Sequence, residues 1–327
     1  MSIALLFPGQ GSQYEGMLQD LPRTPAAART YRQACDTLSR LHGVPAPLDS
    51  AAALRSTTNA QLALHVAAVV TARAVIDDHG LPVDAVAGHS VGAFAAAVVA
   101  GVLGLDDALR ILQIRGAGME RACAGGSWTM AAVGGLPRSA VQRLLDEVGT
   151  RTDPLWIANI NAANQIVVSG TRTAIETLRR HAPAAGATAL TVLKVAVASH
   201  CPLQADTAHA LADALAGVRT GQQRCAYFAN TTGRRILHAP RAVLDDLAQA
   251  VRQPVRWYDA VRLMPEVGIT ATVQLSPGHV LTHLVSRENP SMTNVALDDI
   301  GITAAVHRAR RAAGSPPPAT RTTRRTP

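Results

Sequence analysis

The chain has 327 residues, of which 48% are hydrophobic, 3% are aromatic and 17% are charged. This length allows one large domain or two smaller ones, and the Ala-, Val- and Leu-rich composition favours helices packed on a sheet over an all-β sandwich. The net charge of +8 does not indicate nucleic-acid binding, because six arginines fall within the last twenty residues and no basic stripe contains interleaved aromatics.

The cysteines and the apolar segments indicate a reduced, cytoplasmic protein without a metal site. The four cysteines form no CxxC pair and show no metal-type spacing with histidine. The N-terminus has no basic region before its apolar residues, so we expect a strand and not a signal peptide. Residues 85–105 carry no charge over about the length of a membrane span, but glycines interrupt them, which predicts a strand, a tight turn and a buried helix.

Hydrophobic periodicity predicts the following elements in chain order, with a change of pattern at Gly125-Gly126. A strand at 3–7 precedes helices at 24–41 and 59–79. A strand at 83–87 precedes helices at 91–103 and 106–123. Between the glycine pair and residue 195 come strands at 129–133, 155–160, 165–169 and 189–195, with helices at 138–147 and 171–182. Helices at 202–216 and 240–251 and strands at 224–229 and 271–275 complete the pattern.

This order predicts an α/β fold with two domains. Residues 1–124 and 197–311 would form a larger α/β-hydrolase-like domain with a parallel-sheet core. Residues 125–196 read as strand, helix, strand, strand, helix, strand, which is the order of a ferredoxin-like insert. Residues 312–327 are rich in Pro, Thr and Arg and are expected to be a disordered tail.

The strongest chemical signal is GHSVG at residues 88–92, between a predicted strand and a predicted helix. A G-x-S-x-G sequence in this context forms a tight turn that exposes the serine hydroxyl, here that of Ser90. The amide of Val91 would lie at a helix N-terminus, where it can stabilise an oxyanion. A second glycine-rich loop, FPGQGSQ at 7–13, follows the first strand, and parallel topology would bring the Gln10 amide near the same site.

These two motifs resemble those of the malonyl-CoA:acyl carrier protein transacylase family. Five further segments continue the resemblance in order, so that it covers about residues 3–286. They are LQIRG at 112–116, NINAANQIVVSG at 159–170, VASHC at 197–201, PVRW at 254–257 and SPG at 276–278.

The resemblance implies a role for each site residue. Ser90 would carry the acyl group, and His200 would act as its general base, oriented by a main-chain carbonyl near Ala250. The amides of Gln10 and Val91 would form the oxyanion hole. Arg115 would bind the free carboxylate of a malonyl group through paired hydrogen bonds.

The resemblance also implies which residues line the substrate site and which partners the enzyme has. Gln10, His89 and Asn161 are expected to line the site. Malonyl-CoA would be the substrate, and a phosphopantetheine-type arm on an acyl-carrier protein would be the acceptor, without a metal or redox cofactor. We expect neither nucleic-acid nor membrane partners.

One departure from the family pattern favours a particular branch. Most carrier-protein transacylases have an acidic residue just after G-H-S-x-G, and this chain has Ala93 there. That feature, with Leu48-Asp49-Ser50 and ALRST at 53–57, is most similar to the epsilon subunit of malonate decarboxylase. Such a subunit would load the delta-type acyl-carrier subunit and contact further decarboxylase subunits.

Three alternatives remain. A fatty-acid or polyketide malonyl transacylase shares the chemistry but serves an ordinary pantetheinylated carrier. A serine esterase shares G-x-S-x-G but needs an acidic triad member, for which Asp146 and Asp153 are candidates within the insert. A non-catalytic assembly subunit could keep the fold without the activity.

Overall fold

The computed structural model of the protein describes residues 2–314, which form two β-sheets and the helices packed around them. The strands are β1 (Ser2–Phe7), β2 (Ala85–Gly88), β3 (Trp128–Gly134), β4 (Leu155–Ala162), β5 (Gln165–Thr171), β6 (Ala189–Val192), β7 (Ala226–Phe228), β8 (Arg235–Ile236), β9 (Ile269–Gln274) and β10 (Thr293–Ala296). The helices are α1 (Pro25–Leu38), α2 (Thr57–Arg73), α3 (Gly92–Val99), α4 (Leu105–Cys123), α5 (Arg138–Val148), α6 (Arg172–His181), α7 (Ala205–Ala216), α8 (Pro240–Gln249), α9 (Trp257–Glu266), α10 (Val280–Glu288), α11 (Leu297–Ile300) and α12 (Ile302–Ala312).

The larger sheet has the strand order β10-β9-β1-β2-β7-β8 and is parallel except for β8. Its central strand β1 is fully buried from Ile3 to Phe7, as expected for a parallel strand covered by helices on both faces. The carboxyl ends of β1 and β2 meet where Phe7 pairs with Gly88. The two glycine-rich loops that follow these strands therefore lie side by side.

Helices α2 and α3 form the centre of the larger core. Every residue of α3 is buried, so the uncharged segment after β2 is an internal helix, as the sequence predicted. The helical stretch Thr57–Asp78, formed by α2 and a following π-helical turn, is long and apolar enough to cross a membrane, but 83% of its most apolar window is buried inside the protein. That burial is what the central helix of a folded core shows.

The smaller sheet, with order β4-β5-β3-β6, is antiparallel throughout. Along β3, side chains alternate between two faces. Ala131 and Val133 pack with the helices α5 and α6, while Met130 faces the opposite side with Ala158 and Val167. This second face is turned toward the larger domain.

The main chain connects the smaller sheet directly to the larger domain. The Val255 amide donates to the Ala158 carbonyl, and the Ile160 amide donates to the Val255 carbonyl, both at 2.8 Å. Val255 therefore acts as a further pairing residue at the β4 edge of the smaller sheet.

The sequence prediction differs from the structure in several places. The strand predicted at 189–195 ends at Val192, because the chain then leaves the sheet toward the cleft. The sequence pattern did not reveal α9, α10, α11, α12, β8 or β10, and most helical stability comes from tertiary packing, which a sequence pattern does not show. Ala312 is the last residue of α12, so the predicted tail starts too early, and its residues 315–327 lie outside the described part of the chain.

Candidate active site

The GHSVG segment forms a strained strand-to-helix turn between β2 and α3. Ser90 has a φ of 55°, a backbone conformation that residues with a side chain rarely adopt. A Cβ on Gly88 would lie 2.2 Å from the Ala93 nitrogen, and a Cβ on Gly92 would lie 2.2 Å from the Phe7 carbonyl oxygen. Both glycines are therefore required by close backbone contacts, and the turn presents the Ser90 hydroxyl above the sheet.

His200 lies beside this hydroxyl in an orientation fixed by the main chain. Its Nε2 is 2.8 Å from Ser90 Oγ, and its Nδ1 is 2.5 Å from the Ala250 carbonyl oxygen. Because a carbonyl only accepts hydrogen bonds, Nδ1 carries the proton and Nε2 is free to accept one from the serine. The backbone amide of His200 also donates to the Val251 carbonyl at 2.7 Å.

Burial keeps this imidazole neutral. The side chain of His200 is almost fully buried, and this burial, with a smaller contribution from the positive charge of Arg115, lowers the pKa of His200 to about 3. A neutral imidazole at physiological pH is the form that can accept a proton from Ser90.

Arg115 projects from α4 and is only 2% exposed. Its Nη2 donates to Ser90 Oγ at 3.2 Å, and its Nη1 donates to Gln61 Oε1 at 2.7 Å. Burial lowers the pKa of Arg115 to about 10, so the guanidinium remains charged near neutral pH. No carboxylate within residues 2–314 forms an ion pair with it, which leaves a buried cation beside the nucleophile.

The two backbone amides expected in the oxyanion hole belong to adjacent loops. Val91 precedes the first residue of α3, and Gln10 follows Gly9, where a Cβ would lie 2.8 Å from the His89 carbonyl oxygen. Within the described residues, neither the Gln10 nor the Val91 amide donates to another protein group. Both remain available for a developing oxyanion.

His89 and Asn161 lie together at the boundary of the two sheets. His89 Nε2 is 3.0 Å from Asn161 Oδ1, and the His89 ring lies edge-on to Trp257 with centroids 5.5 Å apart. Burial lowers the pKa of His89, so this ring is neutral and donates to the asparagine. The pair links the serine turn to β4.

The reacting side chains border one cavity of about 300 Å³. Arg115, Ser90 and His200 share it with the Gln10 loop, and the face of the smaller sheet that carries Met130 and Val167 forms the opposite wall. Gln10, His89 and Asn161, which were expected to line the substrate site, also border this cavity. Five of the seven sequence motifs, spread between residues 7 and 201, thus converge on one cleft, whereas PVRW and SPG contribute no residue to it.

Sequence reasoning missed Gln61, Asn230 and Asp246. Gln61 holds the Arg115 guanidinium, and Asn230 contacts the serine turn from the segment that follows β7. A usable signal existed for Asn230, because a polar residue directly after a parallel strand lies at the edge of the sheet where ligands bind. Gln61 sits in an apolar helix and gave no such signal.

The chain is similar to known acyltransferases over most of its length. The model of the acyl transferase domain family matches residues 4–310. The malonyl CoA-acyl carrier protein transacylase of Mycobacterium bovis is 36% identical over 88% of this chain and 93% of its own length.

Solved structures show the same relationship. An acyl-carrier-protein S-malonyltransferase from Bartonella henselae superimposes with a TM-score of 0.82 at 31% identity, covering 96% of this chain and all of that one. A malonyl-transacylase solved in complex with a type II polyketide acyl-carrier protein gives a TM-score of 0.85 at 31% identity, over 94% and 99% of the two chains. The chain therefore belongs to the acyl transferase domain family, among relatives named malonyl-CoA:acyl carrier protein transacylases.

Proposed function

We propose that this protein transfers a malonyl group from malonyl-CoA to the thiol of an acyl-carrier protein through an ester on Ser90. The observation that carries this proposal is the buried guanidinium of Arg115, which lies 3.2 Å from the nucleophile and has no carboxylate partner among the described residues. The free carboxylate of a malonyl group supplies that partner. An acetyl group would leave the cation unpaired, which accounts for selectivity.

In the first half-reaction, the Ser90 oxygen attacks the thioester carbonyl carbon as its proton passes to His200 Nε2. The amides of Gln10 and Val91 donate to the oxyanion that forms, and losing one such donor typically costs ~3–4 kcal/mol of transition-state stabilisation. The carbon–sulfur bond then breaks, and the imidazolium returns the proton to the departing CoA thiolate. The Ala250 carbonyl stabilises the imidazolium through Nδ1.

The second half-reaction reverses the first with a new thiol. The thiol of the carrier arm gives its proton to His200 Nε2, and its sulfur attacks the ester carbonyl. The carbon–oxygen bond to Ser90 breaks, and the serine recovers the proton. Only ester and thioester bonds are exchanged, so the proposed chemistry requires no metal or redox cofactor.

The comparisons favour a fatty-acid or polyketide carrier as the acceptor. The relatives are named as acyl carrier protein transacylases, and one solved relative is bound to a polyketide acyl-carrier protein. They do not support the narrower prediction of a malonate decarboxylase subunit, for which the supporting observation remains Ala93 after the serine motif.

The acceptor is decided by comparing two carriers. The rate of malonyl transfer from the malonylated enzyme would be measured with two acceptors. One is a phosphopantetheinylated acyl-carrier protein, and the other is a carrier protein with a phosphoribosyl-dephospho-CoA arm. We expect faster transfer to the first, and the reverse order would support the decarboxylase subunit.

The donor is tested by intact-mass analysis after mixing with malonyl-CoA. We expect the mass to increase by one malonyl group, and the Ser90→Ala variant to show no increase. Hydrolysis of simple esters without malonylation would support an esterase, and neither reaction would support a non-catalytic subunit. Arg115→Ala should lower malonyl transfer and relatively favour acetyl transfer, so an unchanged ratio would rule out the carboxylate role.

We also propose that residues 125–196 are a ferredoxin-like insert in an α/β-hydrolase-like domain formed by 1–124 and 197–311. The order β3-α5-β4-β5-α6-β6 and the strand order β4-β5-β3-β6 support this division.

A further inference from the structure

The side chain of Asn230 connects the two ends of the serine turn. Its Oδ1 accepts from the Ser90 amide at 2.9 Å, and its Nδ2 donates to the Gly88 carbonyl at 2.8 Å. Asn230 is 4% exposed and does not border the active-site cavity. One side-chain amide, which carries both an acceptor and a donor, thus satisfies main-chain groups on both sides of His89.

These two hydrogen bonds hold a backbone conformation that is otherwise unfavourable. Ser90 has a positive φ, and such strained residues persist only where the surrounding structure fixes them. The Ser90 amide belongs to the strained residue itself. Its bond to Asn230 therefore acts directly on the backbone that sets the direction of Ser90 Oγ.

Asn230 is in turn held by Asp246 of α8. The Oδ2 atom of Asp246 accepts from the Asn230 amide and from the Tyr227 hydroxyl, each at 2.9 Å. The Oδ1 atom accepts from the Thr231 amide at 2.9 Å and from the Thr231 hydroxyl at 2.7 Å. Asp246 is 5% exposed, so these four donors take the place of water around its carboxyl group.

The same helix orients the other reacting side chain. The Ala250 amide donates to the Asp246 carbonyl at 2.8 Å, and the Ala250 carbonyl accepts from His200 Nδ1. The next carbonyl, that of Val251, accepts from the His200 amide. The last turn of α8 is therefore connected to the Ser90 turn through Asp246 and Asn230, and directly to His200.

We propose that Asn230 and Asp246 are positioning residues for acyl transfer, which together hold Ser90 Oγ and His200 Nε2 at reacting distance. Neither residue touches the acyl group, and the contact between Gln61 and Arg115 does not involve them. Their loss should therefore slow the chemical step and leave substrate binding unchanged. The inference rests on the proposed acyl transfer.

The first test is Asn230→Ala, assayed by single-turnover malonylation. We expect kcat to fall by about 30-fold or more, since small misplacements of reacting groups have large effects on rate. The KM for malonyl-CoA should stay within about threefold of wild type. A kcat within about threefold of wild type, or a raised KM with unchanged kcat, would overturn the proposal.

Asn230→Asp gives a signature that a merely structural role would not produce. An ionised carboxylate can accept from the Ser90 amide but repels the Gly88 carbonyl, whereas the protonated carboxyl restores both bonds. The titratable residues around this position are Asp246 and Arg256, which bond the Asn230 main chain, His89, which lies between its two hydrogen-bond partners, and, through Asp246, Tyr227. The negative charge of Asp246 favours the protonated form of the introduced carboxyl.

We therefore expect Asn230→Asp to approach wild-type kcat at acid pH and to lose activity as the pH rises, in a range where wild type keeps its activity. An equal deficit at every pH would contradict the positioning role. Thermal unfolding measured over the same pH range must show that the variant remains folded at the assay temperature.

Asp49→Asn is the matched control. Asp49 is also buried, and its carboxylate accepts from the Leu18 amide away from the serine turn. If the two substitutions lower the unfolding temperature by similar amounts, Asp246→Asn should lower kcat and Asp49→Asn should not. Equal effects of the two substitutions on kcat would show that Asp246 stabilises the fold and does not position the reacting groups.

A fluorophosphonate probe separates this inference from the proposed function. The probe reports Ser90 reactivity without malonyl-CoA. If wild type reacts with the probe but not with malonyl-CoA, the malonyl proposal fails, and slower labelling of Asn230→Ala still supports positioning. Equal labelling rates of wild type and Asn230→Ala would overturn the positioning role alone.

Discussion

The substitution Gln61→Glu would place a carboxylate against Arg115 and so imitate the substrate from inside the protein. Gln61 Oε1 already accepts from Arg115 Nη1 at 2.7 Å, and both side chains are buried. The exchange changes one amide into a carboxylate with almost no change in volume. The buried cation then has an internal partner before malonyl-CoA arrives.

The structure sets the size of the expected effect. A hydrogen bond to a charged group contributes about 1.5–3 kcal/mol, so compensating Arg115 should weaken malonyl binding roughly 10- to 150-fold. Acylation by acetyl-CoA, which has no carboxylate, should change little. Because the Arg115 charge helps to lower the pKa of His200, the same substitution should raise that pKa and move the acid limb of the pH profile upward.

The assay is single-turnover acylation of Ser90 by malonyl-CoA and acetyl-CoA over a range of concentrations, followed by intact mass. Gln61→Met is the control, since it removes the acceptor oxygen and leaves the cation uncompensated. It should keep the preference for malonyl. An unchanged ratio of malonyl to acetyl acylation in Gln61→Glu would refute the assignment of Arg115 as the carboxylate-binding group.

Three further predictions concern the serine turn and the buried histidines. Gly92→Ala should lower the free energy of unfolding by more than ~2 kcal/mol in denaturant titrations, because the Cβ of the introduced alanine would lie 2.2 Å from the Phe7 carbonyl oxygen. An unchanged free energy of unfolding would contradict the described turn. His65→Leu should raise the free energy of unfolding by ~1–2 kcal/mol at neutral pH, because both ring nitrogens of the buried His65 lack hydrogen-bond partners among the described residues; destabilisation would show that the ring has a partner. Burial lowers the pKa values of His65 and His200 to about 3, below the unfolded value of 6.5. The two neutral histidines therefore contribute their full share to the free energy of unfolding above pH 6.5. As the pH drops toward 3, the free energy of unfolding should fall by up to ~1.4 kcal/mol per pH unit for each histidine. His65→Leu should reduce that slope, and an unchanged slope would count against the lowered pKa of His65.

The sequence predicted the parts of the site that depend on local backbone requirements. Gly88 is fixed by a contact within the turn and Gly92 by a contact with the end of the neighbouring strand β1, so a short motif between a strand and a helix was sufficient to predict the orientation of Ser90. The contact between His200 and the Ala250 carbonyl joins residues 50 apart and was expected only from the family resemblance; the structure has it at 2.5 Å.

The sequence did not predict the parts that depend on contacts between distant segments. Gln61 lies 54 residues from Arg115, and Asn230 lies 140 residues from Ser90. A glutamine in an apolar helix and an asparagine after a three-residue strand are common, and only the packed structure gives them partners. Helix α10 was missed for a similar reason, because its first turn is held by the Gln274 side chain, which accepts from the Thr282 amide.

The main-chain pairing of Val255 with β4 has a consequence for how acyl selectivity could be changed. The Val255 amide donates to β4 and its carbonyl accepts from β4, which ties the smaller sheet to the larger domain, and the following residue, Arg256, donates its amide to the Asn230 carbonyl at 2.7 Å. A bulkier acyl donor is therefore not accommodated by separating the two sheets. Room for a substituent on the malonyl carbon has to come from smaller side chains, and Met130 and Val167 on the opposite wall are the residues to exchange.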